Sequence, residues 1–232
     1  MTSLHKHPDR NAATAAVAAQ IVDAVESALA RGPDARARLC LSGGTSPVPL
    51  YRELATRTLR WDRVDLFLSD ERWVPGDDPD SNEGLVRREL MSGPAAAATL
   101  HGLYREGQSV DAAAPAVSAE LANGADAPFD YCLLGMGGDG HTASLFPDAR
   151  DVAALIASPA DAVAVHVARL PQPRISLTAA RLLRSRRIGL LMFGNEKLTV
   201  LERALGGDDA AELPVRCIVR QRSVPVDCHW AP

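Results

Sequence analysis

Tyr131-Cys132-Leu133-Leu134-Gly135-Met136-Gly137-Gly138-Asp139-Gly140-His141-Thr142-Ala143-Ser144-Leu145-Phe146-Pro147 is an apolar run that empties into a glycine-rich turn. The short uncharged run reads as a buried strand, and the turn carries one Asp and one His where α/β sheets hold their ligands. Imidazole titrates near neutral pH and is suited to deprotonating water when a neighbour holds its tautomer. A lone histidine is more often structural, but in a glycine-rich loop beside Asp139 the catalytic reading of His141 is the stronger one.

Outward from this stretch, apolar runs at residues 38–41, 64–68, 162–167, 188–193 and 215–219 also read as strands. Helical spacing of apolar residues predicts helices over 47–58, 82–91, 112–122, 175–185 and 196–205. Strand and helix alternate, which predicts an α/β fold with a mostly parallel sheet and helices on both faces. The chemistry is then expected in the loops at the carboxyl ends of the strands. Residues 69–81 and 148–162 form two loops longer than a connector needs, as functional loops often are.

A chain of 232 residues with 47% hydrophobic and 23% charged residues reads as one globular domain over 1–232. The net charge of −4 gives no general attraction to nucleic acid or anionic membranes, so neither is an expected partner. Arg181, Arg184, Arg186 and Arg187 read as covering the polar side and C-terminal end of a helix. Cys40, Cys132, Cys217 and Cys228 lack CxxC spacing, and the first three fall in strand-like runs, so buried free thiols are expected rather than a metal or redox centre. The Ala-rich segment after Arg10 is interrupted by Asp23 and Glu26 while Ile21, Val22, Val25 and Leu29 recur at helical spacing. It reads as an amphipathic first helix rather than a signal peptide or membrane span. A cytoplasmic location is expected.

Three further loops carry chemistry. Ser42-Gly43-Gly44-Thr45-Ser46-Pro47 reads equally as a phosphate cradle or as a tight turn with Thr45 or Ser46 as N-cap and Pro47 in the first helical turn. It lacks the Gly-Lys-Ser/Thr ending of a Walker A loop. In Ser69-Asp70-Glu71-Arg72-Trp73-Val74-Pro75, Arg72 suits a phosphate or carboxylate, Asp70 suits sugar hydroxyls or the orientation of Arg72, and Glu71 reads as solvated. Arg174, at the entry to the helix expected over 175–185, and Lys197, after Gly194-Asn195-Glu196, add two cations at element ends. Each alone reads as an ordinary surface charge, the commoner fate, and together with Arg72 they would make an electropositive pocket on an acidic protein. Gly135-x-Gly137-x-x-Gly140 matches the dinucleotide fingerprint formally. However, residues 168 and 169, after the next strand, are Ala168 and Arg169 instead of the acid that binds ribose, and Asp139 would repel a pyrophosphate, so no nicotinamide cofactor is expected.

Together these blocks resemble the 6-phosphogluconolactonase family: the Ser42–Pro47 and Ser69–Pro75 blocks with Ser81-Asn82, Leu134 to Pro147, Arg174-Ile175-Ser176-Leu177-Thr178, and Gly194 to Lys197. They run in family order from about residue 10 to the C-terminus. Gly138 stands where the family more often has Pro or Glu, and Ser176 where it often has Thr. The resemblance implies a Rossmann-like fold and hydrolysis of the δ-lactone of 6-phosphogluconate without metal or cofactor. It implies His141 as general base, with Asp139 and Asp70 orienting His141 or the sugar hydroxyls. Arg72, Arg174 and Lys197, with the amides of Gly43, Gly44 and Thr45, then bind the phosphate or stabilise the tetrahedral intermediate. The expected partner is a small phosphosugar lactone, and the expected state a monomer or weak homo-oligomer.

Two rivals are weaker. Glucosamine-6-phosphate deaminases have a similar Asp-Gly-His loop followed by an extra carboxylate, where this chain has Leu145-Phe146-Pro147. A non-catalytic sugar-phosphate sensor of the repressor type needs a helix-turn-helix segment, for which the residues before the first helix leave no room.

Overall fold

A computed structural model describes residues 1–124 and 127–232. The strands are β1 (Thr2–Lys6), β2 (Ala37–Leu41), β3 (Val64–Leu68), β4 (Asp70–Arg72), β5 (Thr99–His101), β6 (Tyr131–Leu134), β7 (Ala162–Val165), β8 (Arg174–Leu177), β9 (Ile188–Phe193) and β10 (Val226–Ala231). The helices are α1 (Arg10–Leu29), α2 (Val48–Ala55), α3 (Asn82–Glu89), α4 (Val110–Gly124), α5 (Val152–Ala157), α6 (Ala179–Leu182), α7 (Asn195–Gly206) and α8 (Arg216–Val219).

Seven strands form one sheet in the order β1-β10-β9-β6-β2-β3-β5, every pair parallel. Parallel strands are covered by their crossover helices, which explains why β2, β3, β6 and β9 are nearly continuous apolar runs. From β2 the chain proceeds through β3 to β5 on one side, and from β6 through β9 to β10 on the other. The order therefore reverses between β2 and β6, and the loops leaving their carboxyl ends part around a crevice. Those loops are residues 42–47 and 135–147.

β4, β8 and β7 form a separate antiparallel sheet. It is tied to the end of the large sheet where Ser69 N donates to Leu41 O (2.8 Å) and Leu177 N to Ser69 O (2.8 Å). α1 is long and apolar enough, by composition, to cross a membrane. One of its faces, including Val17, Ile21 and Val25, is buried in the main core, where each large aliphatic side chain contributes about 1.5–3 kcal/mol relative to exposure.

Several sequence expectations fail for identifiable reasons. Residues 215–219 form a helical turn, α8, instead of a strand: Val215 N bonds Gly140 O at 2.9 Å, and Arg216 is buried against Glu212 at i−4. The sheet position expected for it goes to β10, whose alternating Asp227 and His229 hide an edge-side strand. The helix expected over 175–185 is β8 followed by α6. Ile175 and Leu177 alternate as a strand requires, and Thr178 then caps α6 by accepting from Arg181 N (3.1 Å). The run at 162–167 ends at Val165 and joins the antiparallel sheet. The long loops contain β4 and α5, and polar residues hide β1 and β5 from a reading of apolar runs. Arg181 is fully buried, its guanidinium 3.7 Å from the Phe129 ring centroid and 3.7 Å from Asp161, with burial pulling it down to about 10. The four cysteines are free, Cys217 lying on α8 and Cys228 on β10.

Candidate active site

The crevice at the order reversal is a cleft of about 370 Å³, lined by residues 42–47, by Asp70 and Arg72 of β4, by Asn82, by the glycine-rich loop including His141, and by Arg169, Arg174 and Lys197. Residues far apart in sequence meet here because three kinds of segment end at one place: loops leaving β2, β6 and β9, the small antiparallel sheet, and the first turns of α3 and α7.

The glycine-rich loop is folded by its own backbone. Gly137 N bonds His141 O (2.8 Å), Gly140 N bonds Gly137 O (3.1 Å), and Thr142 Oγ1 donates to Gly135 O (2.9 Å). This curl stacks Asp139 and His141 over Gly137, where a Cβ would lie 2.1 Å from His141 Nδ1, so a side chain there would displace the imidazole. Ala143, which lines the cleft, holds φ at 47°, a left-handed conformation that non-glycine residues rarely adopt.

His141 Nδ1 lies 2.5 Å from Asp139 Oδ1, which also accepts from His141 N at 3.1 Å. A carboxylate cannot donate, so Nδ1 carries a proton, and in the neutral ring the lone pair is on Nε2. Partial burial pushes the Asp139 carboxyl up, but the hydrogen bond and charge of His141, with Arg169, outweigh it and bring the group down to about 2. Asp139 therefore remains an anion at neutral pH. Phe146 closes one side of the imidazole, with ring centroids 4.2 Å apart.

Asp70 does not touch His141. Its Oδ2 accepts from Ser144 Oγ (2.6 Å) and its Oδ1 from Ser69 Oγ (2.9 Å), so it pins β4 to the glycine-rich loop. Of the two carboxylates expected near the base, Asp139 is the one in contact with it.

The cations converge. Arg72 and Arg174 are cross-strand partners on β4 and β8. Arg174 thus sits in a strand and not at a helix entry, because the helix expected there is β8. Burial, then the neighbouring Arg72 charge, lower its pKa, and its Nε is buried without a hydrogen-bond partner among the described residues. Such a guanidinium is suited to an incoming anion. Arg72 donates to Asp80 O, and Lys197, in the first turn of α7, donates to Met136 O beside the glycine-rich loop. Burial lowers Lys197, opposed by Asp139 and Glu196.

The loop after β2 has no side-chain cap. Pro47 is the N-cap residue of α2 and Pro49 occupies its first turn, so neither Thr45 nor Ser46 acts as the cap. The amides of Gly43, Gly44, Thr45 and Ser46 have no hydrogen-bond partner among the described residues. Gly43 is required because a Cβ would lie 1.8 Å from Asn82 Oδ1, and Asn82 Nδ2 in turn bonds Asp70 O at 2.9 Å.

Two readings of the sequence are corrected here. Glu71 is fully buried rather than solvated: it accepts from Arg72 N, Asn82 N, Glu83 N (each 2.7 Å) and Ser81 Oγ (3.0 Å). Its carboxylate meets the free N–H groups at the start of α3, a favourable position for an anion, though burial still raises its pKa. Arg169, which in the sequence serves only to rule out a dinucleotide, lines the cleft and bonds Asp139 Oδ2 at 2.8 Å. Its place in a loop that follows a strand is the signal that points to it.

Comparison with known proteins places nearly the whole chain in one family. The family model described as glucosamine-6-phosphate isomerases/6-phosphogluconolactonase matches residues 8–230. A 6-phosphogluconolactonase of Pseudomonas putida is 38% identical over 233 residues, covering 99% of this chain and 93% of that protein. Another, of Caulobacter vibrioides, is 40% identical, covering 93% and 91%. The crystal structure of a 6-phosphogluconolactonase from Shewanella baltica superposes with a TM-score of 0.95 at 34% identity, covering 100% of this chain and 98% of that one.

Proposed function

The chain belongs to the glucosamine-6-phosphate isomerase/6-phosphogluconolactonase family, and from that premise we propose that it hydrolyses 6-phospho-D-glucono-1,5-lactone to 6-phospho-D-gluconate, the second step of the oxidative pentose phosphate pathway. The observation that carries this reading is His141, held through Nδ1 by Asp139, lining the same cleft as Arg72, Arg174 and Lys197. A base and a cluster of cations suit a substrate with a hydrolysable carbonyl at one end and a phosphate at the other.

In this mechanism Nε2 of His141 takes a proton from water as its oxygen bonds to the lactone C1. The carbonyl electrons move onto oxygen, giving a tetrahedral oxyanion that the nearby cations stabilise. The intermediate collapses with cleavage of the C1–O5 bond, and the imidazolium returns its proton to O5. Asp139 holds Nδ1–H throughout and stabilises the transient imidazolium. The cations and the amides of Gly43, Gly44 and Thr45 neutralise the phosphate dianion, and Asp70 accepts from sugar hydroxyls. The chemistry needs no redox cofactor. Four free cysteines suit action in the cytoplasm, and Arg72, Arg174 and Lys197 supply the local positive charge that an anionic substrate needs on a chain of net charge −4.

The test is acid release from freshly generated 6-phosphogluconolactone, followed with the purified chain against the spontaneous rate. The expected result is enzyme-dependent hydrolysis that saturates with substrate. A rate no faster than the spontaneous one would remove the proposal.

A further inference from the structure

Arg169 closes a ring of contacts around the imidazole. Its terminal nitrogen donates to Asp139 Oδ2 (2.8 Å), while the other oxygen of Asp139 holds His141 Nδ1 (2.5 Å). His141 packs on Phe146 (4.2 Å between centroids), and the Arg169 guanidinium lies over that same ring, 5.2 Å from its centroid. Arg169 is itself anchored by Asp148, from Nε at 2.6 Å and from the terminal nitrogen at 3.3 Å. One planar group thus links the glycine-rich loop to the segment between β7 and β8.

We propose that Arg169 is a positioning residue for the base, acting through Asp139 and Phe146 rather than by binding the phosphate. One physical consequence follows. Both oxygens of Asp139 are engaged, so the carboxylate cannot rotate away from Nδ1, and the imidazole is held in one tautomer and one orientation. Cations proposed to serve the phosphate sit differently: Arg174 keeps a buried nitrogen with no hydrogen-bond partner among the described residues, whereas Arg169 contacts the carboxylates of Asp139 and Asp148. The kinetic part of this proposal rests on the lactonase reading, and the spectroscopic part does not.

The experiment compares the parent with R169M, which keeps an apolar stem over Phe146, and with R169K, which restores the charge. Long-range ¹H–¹⁵N spectra, with His141 assigned by its loss in H141N, report the tautomer of that ring without any turnover. In R169M the ring is expected to lose its single tautomer, with R169K recovering most of it. In the lactonase assay, kcat of R169M is expected to fall on the order of 10-fold, because small misplacements of a catalytic group are costly. An unchanged His141 tautomer in folded R169M would overturn the proposal, as would a rise in KM alone. Absence of lactonase activity in the parent would count against the function, while the spectra would still decide the role of Arg169.

Discussion

Two of the four histidine–aspartate pairs among the described residues occupy opposite kinds of surroundings. His141 lies 2.5 Å from Asp139 at the order reversal of the large sheet, and His5 lies 2.8 Å from Asp227 on the β1–β10 edge. Around His5 the neighbours are other imidazoles: His229 stacks on it at 4.9 Å and on His7 at 5.2 Å, and His7 Nε2 meets His229 Nδ1 at 3.0 Å. Around His141 the strands have ended, the backbone turns away, and the vacated volume is lined by Arg72, Arg174 and Lys197. The aspartate fixes a tautomer in both places. Space for a ligand and charge to attract it are found at one of them, so surroundings, and not the pair, single out the histidine proposed as the base.

Mutations can break that contrast. The largest effect is expected from H141A, which should lower kcat by about 10²–10⁴-fold, the usual cost of losing a general base, while H5A keeps the parent's turnover. Steady-state kinetics on both variants decide it, and equal losses would erase the distinction. D139N comes next. With an amide N–H that can hold the ring in the wrong tautomer, kcat should drop by up to about 10⁴-fold, whereas D227N should leave kcat alone. R174A is expected to raise KM for the phosphorylated lactone by about 10–100-fold, since hydrogen bonds to charged groups contribute about 1.5–3 kcal/mol. Its effect on the unphosphorylated lactone should be much smaller, and an equal effect on both would move Arg174 away from the phosphate.

The smallest effect belongs to the edge cluster and concerns stability. Burial, then the nearby His5 and His7, bring His229 down to about 4, below the 6.5 of an unfolded histidine. Gln20 accepts from the ring's other side at 3.2 Å, Asp227 partly offsets the shift, and Arg187 adds to it. The folded state therefore binds fewer protons than the unfolded one. This contribution is fully present above pH 6.5 and is lost as pH falls toward 4, to a total of up to about 3 kcal/mol. Thermal melts between those pH values should show the decline in the parent and a flatter curve in H229Q. Parallel curves would mean that His229 does not set it.

How much of this is legible in the sequence depends on whether local pattern and tertiary demand agree. Buried parallel strands such as 64–68 and 188–193 are apolar on both faces and can be read directly. β10 cannot, because its polar residues Asp227 and His229 are satisfied by a neighbouring strand that the local sequence does not reveal. Residues 174–182 hold a strand period and a helix period in succession, and extending the second over both moves Arg174 from a strand to a helix entry. At the site, His141, Asp139, Asp70, Arg72, Arg174 and Lys197 are visible as polar groups at element ends; all but Asp139 line one cleft, and Asp139 stands behind His141. Glu71 and Arg169 mislead for a shared reason. What a charged side chain does depends on partners distant in sequence, the first turn of α3 for one and Asp139 for the other.

The central claim, that one cleft presents a base and a set of cations to the two ends of a single small molecule, is tested most directly by a crystal structure of H141A with 6-phospho-D-gluconate. The account expects the C1 carboxylate beside residue 141 and the phosphate within hydrogen-bond reach of Arg72, Arg174 or Lys197. A ligand bound in the reverse orientation, or in another cleft, would contradict it.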